Sequence, residues 1–252
     1  MYPELFSIGP ITIHSFGLMA MLGFMIPTLL LRREFVENKI DPELANNIGV
    51  GAIVGGFLGA RIYFIFEHWS DFLNQPWEMI FSGAGFVWYG GLLGGFLGVY
   101  IVIYNAQMSG VRAADFVLPL ILLGYAFGRL GCHLAGDGDY GPPSDLPWAM
   151  AYTNGVIPTN VPVHPTPLYD LILSLLFFGL IWLNRKKVDR VGMNMSYALI
   201  GLGVERFITE FFRTTPKVAF GWLTFAQIIS ICLITGGLWF IFLGPKRYIG
   251  GK

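Results

Sequence analysis

The sequence predicts an all-α, polytopic membrane protein with seven transmembrane helices, its N-terminus outside and its C-terminus cytoplasmic. Three observations predict it. Of 252 residues, 54% are hydrophobic and only 13% are charged, against about 25% charged in an ordinary soluble domain, and mean hydropathy is +0.60. Seven apolar stretches approach the roughly 20 residues that a bilayer crossing needs. The basic residues fall almost wholly on alternate connections between those stretches.

The spans in order are about 12–31, 47–66, 85–104, 115–133, 166–184, 192–211 and 221–243. The first follows MYPELFSIGP, in which Glu4 is the one charge. With no basic n-region it reads as a retained span, not a cleaved signal peptide. The second and third carry GVGAIVGGFLG and YGGLLGGFLG, small-xxx-small patterns that let two helices approach closely. The fourth ends in GRLGCHLAGDGDYG, residues 128 to 141. After it comes the longest connection, about 137–165, with six prolines and no Lys or Arg. It reads as an ordered or semi-ordered loop. No soluble domain and no tandem repeat interrupts the pattern, so residues 1–252 read as a single integral membrane domain. Net charge is zero, which gives no reason to expect a nucleic-acid partner. The two cysteines, Cys132 and Cys232, make no disulfide framework and read as buried free thiols.

Orientation follows from the basic residues. Arg32, Arg33, Lys39, Arg112, Arg185, Lys186, Lys187, Arg190, Lys246, Arg247 and Lys252 follow spans 1, 3, 5 and 7, and only Arg213 and Lys217 lie on the opposite side. The positive-inside rule makes the first side cytoplasmic and the 137–165 loop external.

Three basic residues remain, Arg61, Arg129 and Arg206. Each lies near the outer end of an outward-running span. A charge at the centre of a span costs about 2.5–3.5 kcal/mol, less near its end. One arginine is explained by snorkelling to the headgroups, or by pairing with Glu205, Glu210 or a backbone carbonyl. Three at one depth point instead to an anion site, because guanidinium holds phosphate bidentately and keeps its charge. A phosphate at the outer-leaflet level is a lipid headgroup. His14, Tyr89, Gln227 and His164 share that depth, and Asp137 and Asp139 follow span 4. Taken singly, Tyr89 reads as an interfacial aromatic anchor and His14 as a helix-start hydrogen bond. Gly90 and Gly91 beside Tyr89 leave backbone that a ligand can approach. A metal reading uses His133, Asp137, Asp139 and His164 as hard or borderline ligands. Against it, Gly-Asp-Gly-Asp is a turn in which Asp bonds its own backbone. A transporter is disfavoured, since no inverted repeat is visible and the polar residues cluster at one side, not at the midplane.

The motif order resembles the prolipoprotein diacylglyceryl transferase family along nearly the whole chain. FSIGPITIHSFGLM resembles its N-terminal signature and GARIYFIFEHW its second-helix arginine motif. YGGLLGG resembles its His-Gly-Gly-Leu-Ile-Gly, GRLGCHLAGDGDYG its Gly-Arg-x-Gly-Asn-Phe-x-Asn-x-Glu, and HPTPLYD its His-Pro-x-x-Leu-Tyr-Glu. ERFITEFFR resembles its Arg-Phe-x-x-Glu-x-x-Arg, and LTFAQIISI its last-helix Gln motif.

The resemblance implies an enzyme of the bacterial inner membrane with its active site on the periplasmic side. It would move a diacylglyceryl group from phosphatidylglycerol to the lipobox cysteine thiol beside a prolipoprotein signal peptide, releasing glycerol phosphate. No metal or organic cofactor is expected. On the matching positions, Arg129 and Arg206 would hold the phosphate, Glu210 would orient an arginine, and Tyr89 would stand where the family has histidine. Arg61, Gly90, Gly91 and Gln227 would support substrate binding, as would His14, Asp137 and His164. The chain departs from the motifs at Tyr89 for histidine, Phe16 for tyrosine, Cys132 and Ala135 for asparagines, and Asp137 for glutamate. Tyrosine, with a free pKa of about 10, is a poor base at neutral pH. Three readings therefore stand side by side at this point. One is the family's transferase. Another is a diverged paralogue that uses another acceptor or only binds anionic lipid. The third is a metal-dependent membrane enzyme.

Overall fold

The structure, a computed structural model, describes residues 1–9, 11–81, 85, 87–219 and 221–245. Position 86 of the third expected span lies outside the described residues, as do Lys246, Arg247 and Lys252 of the basic count. The chain is mostly helical. Helices α1 (Ser15–Glu37), α2 (Glu43–Glu67), α3 (Trp69–Asn74), α4 (Pro76–Phe81), α5 (Trp88–Asn105), α6 (Gly110–Ala135), α7 (Thr166–Asn184), α8 (Met193–Thr209) and α9 (Phe225–Leu243) follow one another. Five of them are long and apolar enough to cross a membrane: α1, α2, α6, α7 with its following turn, and α9. The third and sixth expected spans form the shorter helices α5, 18 residues, and α8, 17 residues. Large apolar side chains project outward, Phe96 and Leu183 at 72% and 78% exposure. Water does not tolerate so much contiguous apolar surface on a monomer, and lipid does.

Two small antiparallel hairpins depart from a wholly helical chain: β1 (Glu4–Ile8) with β2 (Ile11–His14), and β3 (Lys217–Ala219) with β4 (Leu223–Thr224). They take up the starts of the first and last expected spans, so α1 begins at Ser15 and α9 at Phe225. At α9 the cause is local. Thr224 accepts a hydrogen bond from Gln227 N at 3.2 Å, and the Gln227 side chain accepts from Thr224 N at 3.1 Å. This capping box satisfies two amide donors that the helix start would leave bare.

The chain divides into two compact units, Thr28–Ala113 and a second made of Met1–Pro27 with Ala114–Lys252. In the first, α2 and α5 lie backbone to backbone along their glycines. A Cβ on Gly59 would meet Gly94 Cα at 2.7 Å, and one on Gly51 would meet Gly98 O at 3.0 Å. Gly90 belongs to the same seam, against Gly59 and Tyr63. Gly59→Val forces this seam apart, and over-packing of this kind costs about 1–3 kcal/mol. A fall in thermal stability of the detergent-solubilised protein checks it.

In the second unit, Leu122 of α6, Ile181 of α7 and Ala198 of α8 form a core, with Leu118, Phe177, Phe178 and Leu202 against it. Polar groups close the helix ends. Asp115 of α6 accepts from the amides of Gly192 and Met195 at the start of α8. Arg190 donates to the carbonyls of Ile241, Phe240 and Gly244 at the end of α9, where four carbonyls lack helical partners. Both cysteines are free, but the expectation that they are buried is corrected: Cys132 is half-buried and Cys232 exposed. An apolar neighbourhood in sequence does not separate a helix's inward face from a lipid-facing one.

Candidate active site

The second unit gathers its charges where α6 ends and α7 begins. Arg129 lies in the last two turns of α6. Asp170 lies one turn into α7, in the span 166–184 where it is the one charged residue. Arg206 lies in the last turn of α8 with Glu210 four residues on, the spacing of one helical face, and Arg213 follows three residues later. The helix tightens there into a 3-10 turn, Glu210–Phe212, and the chain leaves it extended at Arg213.

Asp170 is the hub. It is fully buried, and its Oδ2 lies 3.4 Å from Arg129 Nε, 3.3 Å from Arg213 Nη1 and 3.9 Å from Arg206 Nη1. Tyr125 donates its hydroxyl to the same oxygen at 3.4 Å, and its ring lies under the Arg129 guanidinium at 4.6 Å. Glu210 Oε2 is 2.9 Å from Arg206 Nη2 and 4.0 Å from Arg213 Nε. Asp139 pairs with Arg129 through one oxygen and with Arg213 through the other. Glu205 is buried beside Asp170. Three guanidiniums and four carboxyl groups thus share one small volume. Its buried floor is Asp170, Glu205 and Glu210. Its accessible side is Arg129, Arg206 and Asp139, with side chains 20%, 27% and 29% exposed. Burial and the Arg129 guanidinium beside it push Arg213 down from the ordinary arginine value, yet a guanidinium stays charged at neutral pH.

The turn after α6 sets Asp139 in place. Gly136 and Gly138 have φ of 61° and 92°, left-handed values that cost glycine little. Asp137 accepts the amide of Asp139 at 3.2 Å, the Asp turn that the sequence suggested. Thr166 donates to the Asp139 carbonyl at 2.6 Å, tying this turn to the start of α7.

The other candidates have partners of their own. His164 Nδ1 is 3.2 Å from the Tyr169 hydroxyl, which accepts from Trp148 Nε1 at 2.9 Å. Tyr169 and Trp148 border a mainly apolar cavity of about 560 Å3 with Met150, Leu168 and Ile172. His133 Nδ1 is 3.0 Å from the Tyr152 hydroxyl. Among the described residues, no three His, Cys, Asp or Glu side chains converge as metal ligands. His14 ends β2 and is exposed, and Gln227 is engaged in the α9 cap. In the first unit, Arg61 is nearly buried, donates to Gly85 O at 3.1 Å and lies 5.6 Å from the Phe64 ring. Tyr89 is exposed at the first turn of α5, and a Cβ on Gly91 would meet Ala60 at an ordinary 3.5 Å. Arg129, Arg206 and Glu210 are therefore together, while Arg61, Tyr89, Gly90 and Gly91 belong to the other unit.

Sequence reasoning missed Asp170 and Arg213 as members of this cluster. Both left signals. An acid inside an apolar span is costly unless paired, and Arg213 follows Arg206 and Glu210 closely in ERFITEFFR.

Tyr152 is fully buried, and burial pushes its hydroxyl up from the ordinary tyrosine range. A raised folded-state value favours the fold below the unfolded value, about 10, and that stability is lost as pH rises beyond it. Tyr152→Phe removes the His133 bond, at about 1 kcal/mol, and also blunts the alkaline loss. Unfolding followed at neutral pH and above about pH 10 reads both effects.

Comparison with known proteins matches this sequence over nearly its whole length. The family model described as "Prolipoprotein diacylglyceryl transferase" matches residues 3–243. A Clostridium tetani protein named "Phosphatidylglycerol--prolipoprotein diacylglyceryl transferase" is 33% identical over 244 residues, 96% of this chain and 97% of that one. Proteins of the same name from Methylococcus capsulatus and Legionella pneumophila are 35% and 34% identical. They cover 94% of this chain, and 92% and 94% of their own lengths. With the match running through every helix that carries the arginine cluster, the chain belongs to the prolipoprotein diacylglyceryl transferase family.

Proposed function

We propose that this chain transfers a diacylglyceryl group from phosphatidylglycerol to the cysteine thiol of a prolipoprotein. The observation that carries this reading is the meeting of three guanidiniums on the buried Asp170, in a chain similar to the named transferases over nearly its full length. That full-length similarity favours transfer over a paralogue that merely binds anionic lipid.

The chemistry asks for this kind of site. The thiolate attacks the glycerol carbon, and glycerol phosphate leaves with a second negative charge growing on its phosphate. Fixed cations in a dry site stabilise that charge more than they stabilise the bound lipid. Arg129 and Arg206, on the accessible side, hold the phosphate. Glu210 orients Arg206, and Arg213 reinforces the field from behind. A nearby cationic field also favours the acceptor's thiolate, whose thiol has a free pKa of about 8.5. Arg61, Tyr89, Gly90 and Gly91 contribute from α2 and α5, Asp137 shapes the turn bordering the site, and His14, His164 and Gln227 bind more remotely. No metal or organic cofactor takes part.

In this reading residues 1–252 form one membrane domain of seven spans in the bacterial inner membrane. The N-terminus and the 137–165 loop face the periplasm, so lipid phosphate and lipobox cysteine meet at the outer leaflet. The distribution of basic residues supports that orientation. Complementation tests the function. Bacteria depleted of their own transferase should regain lipoprotein lipidation when given this chain. Unmodified prolipoprotein accumulating despite normal insertion would oppose it.

A further inference from the structure

We infer that the cavity between residues 147–150 and the start of α7 is the docking site of the acceptor peptide. It takes an apolar side chain from the end of the prolipoprotein's signal peptide, and so sets the acceptor cysteine beside the arginine cluster. The inference rests on the transfer proposed above. That reading needs two molecules held at once. The arginines hold the lipid phosphate, but they give an apolar peptide no anchor.

The cavity has the chemistry of such an anchor. Its volume is about 560 Å3, and Trp148, Ala149, Met150, Leu168, Tyr169 and Ile172 line it, with no charged side chain in its wall. The polar groups of that wall are already engaged. Trp148 Nε1 donates to the Tyr169 hydroxyl at 2.9 Å, and the hydroxyl lies 3.2 Å from His164 Nδ1. An ionic headgroup finds no counter-charge here, while an apolar group leaves no polar partner bare. The loop side of the wall is held by its own backbone. Met150 exchanges hydrogen bonds with Val163 at 3.1 and 3.0 Å, and Ala149 N donates to Leu146 O at 2.9 Å. A preformed wall lowers the ordering cost of binding.

Its position suits the same role. Tyr169 and Asp170 are consecutive on α7, about 100° apart around the helix. One lines the cavity and the other receives the three guanidiniums. Phe212 joins the two from the other side. Its ring lies 5.4 Å from that of Tyr169 and 5.3 Å from that of His164, and it sits between Glu210 and Arg213 in the chain. Cavity and cluster are thus two sides of one wall.

Energetics favour the peptide over an acyl chain as the occupant. An acyl chain already lies in hydrocarbon and gains little by entering another apolar space. The residues that line the cavity come from the connection read as external and from the first two turns of α7, the level where hydrocarbon gives way to water. A signal peptide's apolar region ends just before its processing site, which brings an apolar side chain to that level close to the cysteine. Leaving water there, it gains the full hydrophobic transfer.

Ala149→Trp tests this by filling the cavity from the loop, away from the arginines. With a lipobox-type peptide as probe, its KM for peptide should rise at least about tenfold, the scale of one buried aliphatic side chain, while KM for phosphatidylglycerol and kcat stay near wild type. A peptide with serines in place of its apolar residues before the cysteine should lose affinity for the wild-type protein, and the two changes should not add. Binding of a labelled peptide carrying serine for the cysteine reads the same loss without any transfer. Trp148→Ala, at a side chain 57% exposed, removes the wall from the other direction and should weaken the peptide likewise. Wild-type peptide KM and binding in both variants would overturn the inference and leave the transferase reading intact. A rise in KM for phosphatidylglycerol alone would also overturn it and give the cavity to an acyl chain. Peptide binding lost in both variants, with no product even from the wild-type protein, would support the docking site and oppose the transfer.

Discussion

Replacing Arg129 with alanine is expected to abolish transfer while the protein still inserts and folds. In the reading proposed here its guanidinium holds the phosphate that acquires charge as the C–O bond breaks. It is one of the two arginines on the accessible side of the cluster, 20% exposed, and approaches the buried Asp170 at 3.4 Å. Loss of one preorganised donor from such a site costs about 2.7–4 kcal/mol, or roughly 100- to 1,000-fold in rate. The fold has reason to survive, because Arg213 still engages both Asp139 and Asp170. Arg129→Lys should fall between wild type and alanine, since an ammonium keeps the charge and loses the planar fork. Rates measured beside lipid-binding affinity distinguish the cases. A wild-type rate in Arg129→Ala would remove Arg129 from the phosphate site.

Asp170→Ala is expected to have the largest effect on stability. Three arginines and the Tyr125 hydroxyl converge on a carboxylate with no exposure to solvent. Removing one partner from a buried ion pair costs about 3–5 kcal/mol, because the remaining charges are left uncompensated. The thermal midpoint in detergent should fall steeply, and the loss should exceed that of Arg129→Ala. A change below about 1 kcal/mol, the scale of an exposed pair, would show that Asp139, Glu205 and Glu210 hold the arginines without it.

Much of this architecture was legible because apolar length and glycine spacing are local properties. The α2–α5 seam follows from GVGAIVGGFLG and YGGLLGG, where backbone contact at Gly59 and Gly94 leaves no room for a side chain. Arg129 and Arg206 stood out as charges inside apolar spans. The same rule applied to acids would have found Asp170. Arg213 lies past the end of the helix in extended backbone, so helical spacing does not announce its meeting with Asp170. Thr-x-x-Gln is a helix-start signature, and the Gln227 side chain completes that cap, a local role that its depth alone does not state. The hairpin at 4–14 could not be read from hydropathy, because a short apolar strand next to a span looks like more span. Burial of the cysteines was equally illegible, since lipid and protein core favour the same residues. How many arginines meet one carboxylate is a tertiary property, and no spacing in the sequence states it.

The most direct test uses purified protein, phosphatidylglycerol and a lipobox-type peptide, following peptide mass and glycerol phosphate release together. A diacylglyceryl peptide and one glycerol phosphate for each peptide modified are expected, both lost in Arg129→Ala and Arg206→Ala. Phosphatidylglycerol bound without either product would contradict it and mark the chain as a lipid-binding relative that does not transfer. Products that persist in both variants would place the reacting phosphate away from the arginine cluster.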